Sequence, residues 1–141
     1  MLALFAYGTL CDPDYVRALF GRSFSMQPAS VDGYVVVRAD GGYLGAIPRA
    51  GGTVRGVVVA LDARAYAVAD EWEDLTVYER RTVEARLEGS SGVQRCFIYV
   101  RPDAAGPMRT DERLADRSRD EVLADIRTFV ASRRMPPLPD T

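Results

Sequence analysis

Five carboxylates crowd into the stretch ADEWEDLTVYE: Asp70, Glu71, Glu73, Asp74 and Glu79. Carboxylates this close raise one another's proton affinity, and burial raises it further. One of them, set near an aromatic ring at a helix end, would serve as a general base near neutral pH. Most of the five read as a solvated helix end. Helical angles do not choose between Glu71 and Glu73, because both flank the apolar stripe that contains Trp72. Trp72 itself reads as core. The run YERR follows, Tyr78 to Arg81. An arginine here can hold a carboxylate, either in a substrate or in the acidic stretch. Arg81 reads as an exposed strand start.

A second place for chemistry is Tyr7-Gly8-Thr9-Leu10, where an apolar strand ends in a glycine and a hydroxyl residue before a helix. Backbone N–H groups at such a turn can face outward and bind a carboxylate or an oxyanion. Taken alone, the segment reads as a plain tight turn, with Gly8 present for its backbone freedom.

The residue types that are missing narrow the chemistry. The 141 residues include no histidine, no lysine and no asparagine, and all 18 basic residues are arginine. Without histidine there is no Ser-His-Asp or Cys-His catalysis and no imidazole-bound metal. Without lysine there is no Walker P-loop and no Schiff base. Acid–base work falls to Asp, Glu, Tyr or Cys. Cys11 and Cys96 lack C-x-x-C spacing and read as free thiols, not as metal ligands or a disulfide framework. A Cys11 nucleophile has no histidine to activate it. No metal and no cofactor are expected. The net charge of −2 shows no basic excess of the kind nucleic-acid binders carry.

These residues need a frame, and the pattern supplies one domain spanning residues 1–141. The N-terminal apolar run, MLALFAY, is too short for a signal peptide or a membrane span and reads as a buried strand. A cytoplasmic protein without membrane contact is expected. Asp12-Pro13 starts a helix with Val16, Leu19 and Phe20 on its apolar face, and Gly21 stops it. Strands are expected over Ser25–Arg38, Tyr43–Ile47 (ended by Pro48) and Thr53–Leu61, with turns at Gly41-Gly42 and Gly51-Gly52. Asp62 caps a helix to about Trp72, with Leu61, Ala65, Val68, Ala69 and Trp72 on one stripe. RRTVEARLE and VQRCFIYVR form a hairpin around Gly89-Ser90-Ser91-Gly92. Pro102 to Arg109 reads as a loop. Ser118 and Glu121 make a capping box for a C-terminal helix over about 119–133, with Val122, Ile126, Phe129 and Val130 inward. The tail PPLPDT reads as extended. Strands dominate the first hundred residues, so a curved sheet or small barrel with helices outside is the natural packing.

Five short motifs then fall in a telling order: FAYGTL, the V-x-G-x-V strand Val54 to Val58, Leu61-Asp62, the D-x-x-E of Asp70 to Glu73, and the Y-x-R-x-x-V of Tyr78, Arg80 and Val83. In this the chain resembles the gamma-glutamylcyclotransferase-like family, which includes plant avirulence-induced proteins and gamma-glutamylamine cyclotransferases. The resemblance covers about Leu2 to Val100. It implies an α+β fold, a small, mainly antiparallel β-barrel with surrounding helices and a cavity at one side. It also implies a small-molecule γ-glutamyl substrate, held at its glutamyl end by Tyr7, Gly8, Thr9 and Leu10, chiefly through backbone amides. Arg80 is expected at the substrate as well. The glutamate of D-x-x-E is implied as the base, which selects Glu73 over Glu71. Family members often carry glycine after that glutamate, where this chain has Asp74.

Overall fold

A computed structural model describes residues 2–38, 44–75, 78–101 and 118–134. In chain order the elements are β1 (Leu2–Ala6), a 3-10 turn (Thr9–Cys11), α1 (Pro13–Phe20), β2 (Met26–Arg38), β3 (Leu44–Leu61), α2 (Ala63–Glu73), β4 (Glu79–Leu87), β5 (Val93–Val100) and α3 (Arg119–Arg134). The strands close into a barrel in the order β1-β3-β2-β4-β5. Its ladders are antiparallel except at the closure. There β1 runs parallel to β5 through Leu4↔Phe97 and Phe5↔Ile98, and Ala46 of β3 meets Val100. The α+β class and the small, mainly antiparallel barrel with helices around it are as expected.

The unbroken apolar character of β1 has a physical cause: both of its faces are buried. Phe5 points into the barrel with Val31, Val58 and Ile98. Leu4 and Ala6 point outward, into a second core formed with Leu61, Ala65, Ala69 and Ile126 beneath the helices. Helix starts follow the sequence signals. Asp12 accepts from the amides of Asp14 (2.8 Å) and Tyr15 (3.4 Å), and Asp62 accepts from that of Ala65 (2.8 Å). Each such cap is worth about 1 kcal/mol. Gly21 ends α1 in the left-handed conformation, φ 77°. Ser118 and Glu121 exchange backbone-to-side-chain hydrogen bonds at 3.1 and 3.2 Å at the start of α3. Arg119 then reaches Asp12 at 2.8 Å and also Asp14, tying the start of α3 to the start of α1.

One expectation fails. The predicted break at Pro48 and Gly51-Gly52 is absent, and β3 runs from Leu44 to Leu61 as one element. Its register against β2 jumps between Asp32↔Thr53 and Tyr34↔Pro48, so residues 49–52 face Gly33 alone. The glycines serve a bulge rather than a chain reversal. A Cβ at Gly52 would lie 2.6 Å from the Tyr34 carbonyl oxygen. The expected Gly41-Gly42 turn, Tyr43, the 102–109 loop and the PPLPDT tail lie outside the described residues. No described helix is long and apolar enough to cross a membrane.

Candidate active site

A cavity of about 290 Å³ opens at the barrel end where β1 stops. The Tyr7–Leu10 segment forms one wall; Trp72 and Glu73, at the C-terminal end of α2, form another. Tyr78, Tyr99 and Arg101 line it from the β4–β5 side, and Asp125 from α3. Trp72 packs edge-to-face on Phe129 of α3 at 5.5 Å, which holds that end of α2 in place. The size suits a small metabolite.

Glu73 is the last residue of α2. Among the described residues its carboxylate has no hydrogen bond and no ion pair. Burial pushes its pKa from 4.5 up to about 7. The three tyrosines around it are engaged elsewhere. Tyr7 donates to the Tyr99 carbonyl (2.6 Å) and accepts from the Ala46 amide (2.9 Å). Tyr78 donates to the Leu44 carbonyl (2.8 Å), and Tyr99 donates to Asp70 (2.6 Å). Burial first, and the Glu73 carboxylate to a lesser degree, pushes all three phenols above their ordinary range, Tyr78 to about 12. They are neutral at physiological pH and cannot act as bases. Among the described residues that line the cavity, Glu73 is the carboxyl that burial moves into the neutral range.

The next residue, Asp74, sits at φ 66°, a left-handed conformation that disfavours most residues. Its amide donates to the Asp70 carbonyl and its carbonyl accepts from the Tyr78 amide. Glycine would meet this backbone demand without strain.

The Tyr7–Leu10 segment is built by close approach. A Cβ at Gly56 would fall 2.2 Å from the Ala6 carbonyl oxygen, so only glycine lets β3 pass the end of β1. This is the physical content of the V-x-G-x-V motif. In the turn itself, the amides of Cys11 and Asp12 bond back to the carbonyls of Gly8 and Thr9. The Cys11 thiol also donates to the Gly8 carbonyl at 2.9 Å. No backbone hydrogen bond among the described residues uses the amides of Gly8, Thr9 or Leu10. They are donors available to an anion. A Cβ at Gly8 would meet nothing within 4 Å, so glycine there keeps space open instead of avoiding a clash.

Of the residues singled out from sequence, Tyr7, Gly8, Thr9, Leu10 and Glu73 all line this one cavity. Arg80 is not among the lining residues, and of the two partners open to it from sequence, a substrate or the acidic stretch, it holds the second. It pairs with Asp70 at 3.0 Å and stacks 5.1 Å from the ring centres of Tyr66 and Phe97. Glu71 turns outward to Arg133 of α3. Sequence reasoning missed Arg101, which lies 5.7 Å from the centre of the Tyr78 ring, and Asp125. Neither stands in a motif. Arg101 sits one residue beyond a strand end, and Asp125 reads as the polar side of an amphipathic helix.

Comparison with known proteins shows the family and the fold. Residues 4–120 match the sequence profile of the family described as gamma-glutamyl cyclotransferase, AIG2-like. The chain is 31% identical over 140 residues to AIG2-like protein C of Arabidopsis thaliana, spanning 94% of this chain and 80% of that one. Its fold is similar to that of a gamma-glutamyl cyclotransferase (TM-score 0.65, 12% identity, 99% and 90% of the two chains). It is similar also to an AIG2-like protein from Mus musculus (TM-score 0.63, 20% identity, 77% and 86%). The profile match extends beyond the Leu2–Val100 span of the sequence motifs and into α3. The chain belongs to the AIG2-like gamma-glutamyl cyclotransferase family.

Proposed function

We propose that this protein is a γ-glutamyl cyclotransferase acting on a γ-glutamylamine or a γ-glutamyl-capped metabolite. The observation that carries the reading is Glu73: a buried carboxylate, unpaired among the described residues, facing a small cavity whose opposite wall offers unused backbone amides. The amides of Gly8, Thr9 and Leu10 hold the glutamyl end of the substrate. Glu73 takes a proton from the substrate's α-ammonium. The freed amine attacks the γ-carbonyl carbon and forms the new C–N bond of a five-membered ring. Glu73 returns the proton to the leaving nitrogen as the original amide bond breaks, and the ring nitrogen's second proton passes to the departing amine, which leaves as an ammonium. The products are 5-oxoproline and a free amine.

Each element of this chemistry has a scale. Every unit by which burial raises the Glu73 pKa removes about 1.4 kcal/mol from the uphill transfer off an ammonium. Ring closure within one bound molecule is worth effective molarities of roughly 10⁵–10⁸ M when well aligned. The substrate brings its own nucleophile, so neither a protein nucleophile nor a cofactor is required.

The test is incubation with γ-glutamylamines, γ-glutamyl dipeptides and glutathione, scored for 5-oxoproline. Release from the amines first, with no reaction of an α-N-acetylated substrate, is expected. Preference for the dipeptides or glutathione would move the assignment to the degradation of those compounds. Cleavage of the acetylated substrate would mean that water attacks, and that the protein is a hydrolase.

A further inference from the structure

Tyr99 touches both halves of the site. Its carbonyl accepts the Tyr7 hydroxyl at 2.6 Å, at the root of the substrate loop. Its own hydroxyl donates to Asp70 Oδ1 at 2.6 Å, one helical turn before Glu73. Arg80, the cross-strand partner of Tyr99 on β4, closes on the same carboxylate at 3.0 and 3.3 Å. The Asp70 carbonyl accepts the Asp74 amide at 3.0 Å. The residue gripped by Tyr99 and Arg80 therefore also anchors the turn through which the chain leaves α2 after Glu73.

We infer that Tyr99 is a positioning residue that fixes the distance between the substrate loop and Glu73, with Asp70 and Arg80 forming the clamp on the helix side; this rests on Glu73 being the base. Charge-assisted hydrogen bonds are about twice as strong as neutral ones, and Asp70 receives them from a planar guanidinium pinned between two rings. The clamp is stiff because each partner is held by another. Its value is geometric, since a misplacement of about 1 Å can cost about 10²-fold in rate.

The ionisable groups around Glu73 are Tyr7 from the loop, Tyr78 ahead of β4, Tyr99 and Arg101 from the β5 side, Asp125 from α3 and Asp70 from α2 itself. Tyr99→Phe leaves every one of those charges in place, and Asp70 keeps Arg80. A change in Glu73 titration in that variant therefore reports position and hydration, not charge balance.

In the full chain, Tyr99→Phe should lower kcat about 10- to 100-fold with KM nearly unchanged. The Glu73 carboxyl, followed by carbon-13 NMR, should titrate below its value of about 7 and toward 4.5 as water reaches it. Asp70→Ala should match that loss of kcat. Asp70→Asn, whose side-chain oxygen still accepts from Tyr99, should recover most of it. The Tyr99→Phe/Asp70→Ala double variant should lose no more than the worse single one, as expected for one shared contact. A folded Tyr99→Phe protein with wild-type kcat and wild-type Glu73 titration would overturn the inference, as would additive losses. If Tyr99→Phe fails to fold, the comparison of Asp70→Ala with Asp70→Asn decides, and equal losses in the two would overturn it. If the wild-type chain releases no 5-oxoproline from any substrate, the cyclotransferase reading fails separately, and the NMR titration still tests the coupling.

Discussion

Two concavities among the described residues differ in character. The one at the barrel end, about 290 Å³, holds a single carboxylate with no partner among the described residues. The other, about 460 Å³, lies between α1, α2 and α3 and is rimmed by Arg22, Arg64 and Arg133. The larger of the two is the more highly charged. Arg22 meets Asp62 at 3.3 Å with both side chains open to water (59% and 40% exposed), and Arg133 meets Glu71. Exposed pairs of this kind contribute about 0–1 kcal/mol. At Glu73, desolvation alone moves a carboxyl into the neutral range. On the proposed reading, reactivity would follow from removing water and partners around one group, not from gathering charges.

The sharpest way to break this contrast is Glu73→Gln. Shape is kept and the proton acceptor is lost, so turnover should fall about 10²-fold or more while the far-ultraviolet circular dichroism is unchanged. Near-normal turnover in the folded variant would remove the chemistry from the barrel-end cavity.

Next come two glycines, Gly8 in the cavity wall and Gly56 behind it against the end of β1, which should fail in different ways. Gly56→Ala drives a methyl group against the Ala6 carbonyl and should cost about 1–3 kcal/mol of stability. Gly8→Leu meets no neighbour at its Cβ and should melt closer to wild type. Its side chain would occupy the cavity, and KM for every γ-glutamyl substrate should rise by a similar factor. Thermal denaturation alongside steady-state kinetics checks both. A Gly8→Leu protein as unstable as Gly56→Ala would show that the loop is structural and not a binding wall.

A smaller effect is written into the pH dependence. The Glu73 carboxyl has a folded pKa of about 7 and an ordinary value of 4.5. The folded state holds the proton more tightly, so this stabilising contribution is complete below about pH 4.5 and is lost as pH rises through about 7. The slope is at most about 1.4 kcal/mol per pH unit, and Glu73→Gln should abolish it. Urea midpoints of the two proteins should therefore diverge between about pH 5 and pH 8. Parallel curves would refute a raised proton affinity at Glu73. Turnover has the opposite sign and should rise through about pH 7, because the base works ionised.

The smallest effect belongs to the arginine groove. Arg22→Ala should change stability by no more than about 1 kcal/mol and leave turnover as it was. A clear loss of turnover would mean that the groove takes part in the reaction.

Much of this was legible in the sequence because it is local. Asp12, Pro13, Gly21, Asp62 and the Ser118/Glu121 pair announce helix ends through contacts made within a few residues. Glu73 was not legible from helix geometry, which left Glu71 equally placed, and came only from the order of motifs. The physical difference between the two is long-range: Arg133, 62 residues away, draws Glu71 outward, while the barrel end encloses Glu73. Which carboxylate Arg80 holds was open in the sequence for the same reason, since the fold decides that it meets Asp70. The continuity of β3 was hidden because Gly51-Gly52 signals a sharp bend without saying whether the chain reverses there or bulges.

The thiol beside the loop has a use that chemistry alone does not suggest. Burial pushes Cys11 up to about 12 and Cys96 up to about 11, so neither is a thiolate in the folded protein at neutral pH. Cys96 is buried, so its alkylation must wait for the barrel to open, whereas the partly exposed Cys11 is slowed by its raised pKa. Cys96 sits in the barrel core, whereas Cys11 is held at the edge of the turn by its bond to the Gly8 carbonyl. The chain thus carries two internal clocks, one set by the barrel and one by the Tyr7–Leu10 turn. The ratio of their labelling rates reads how freely the loop opens while the barrel stays shut.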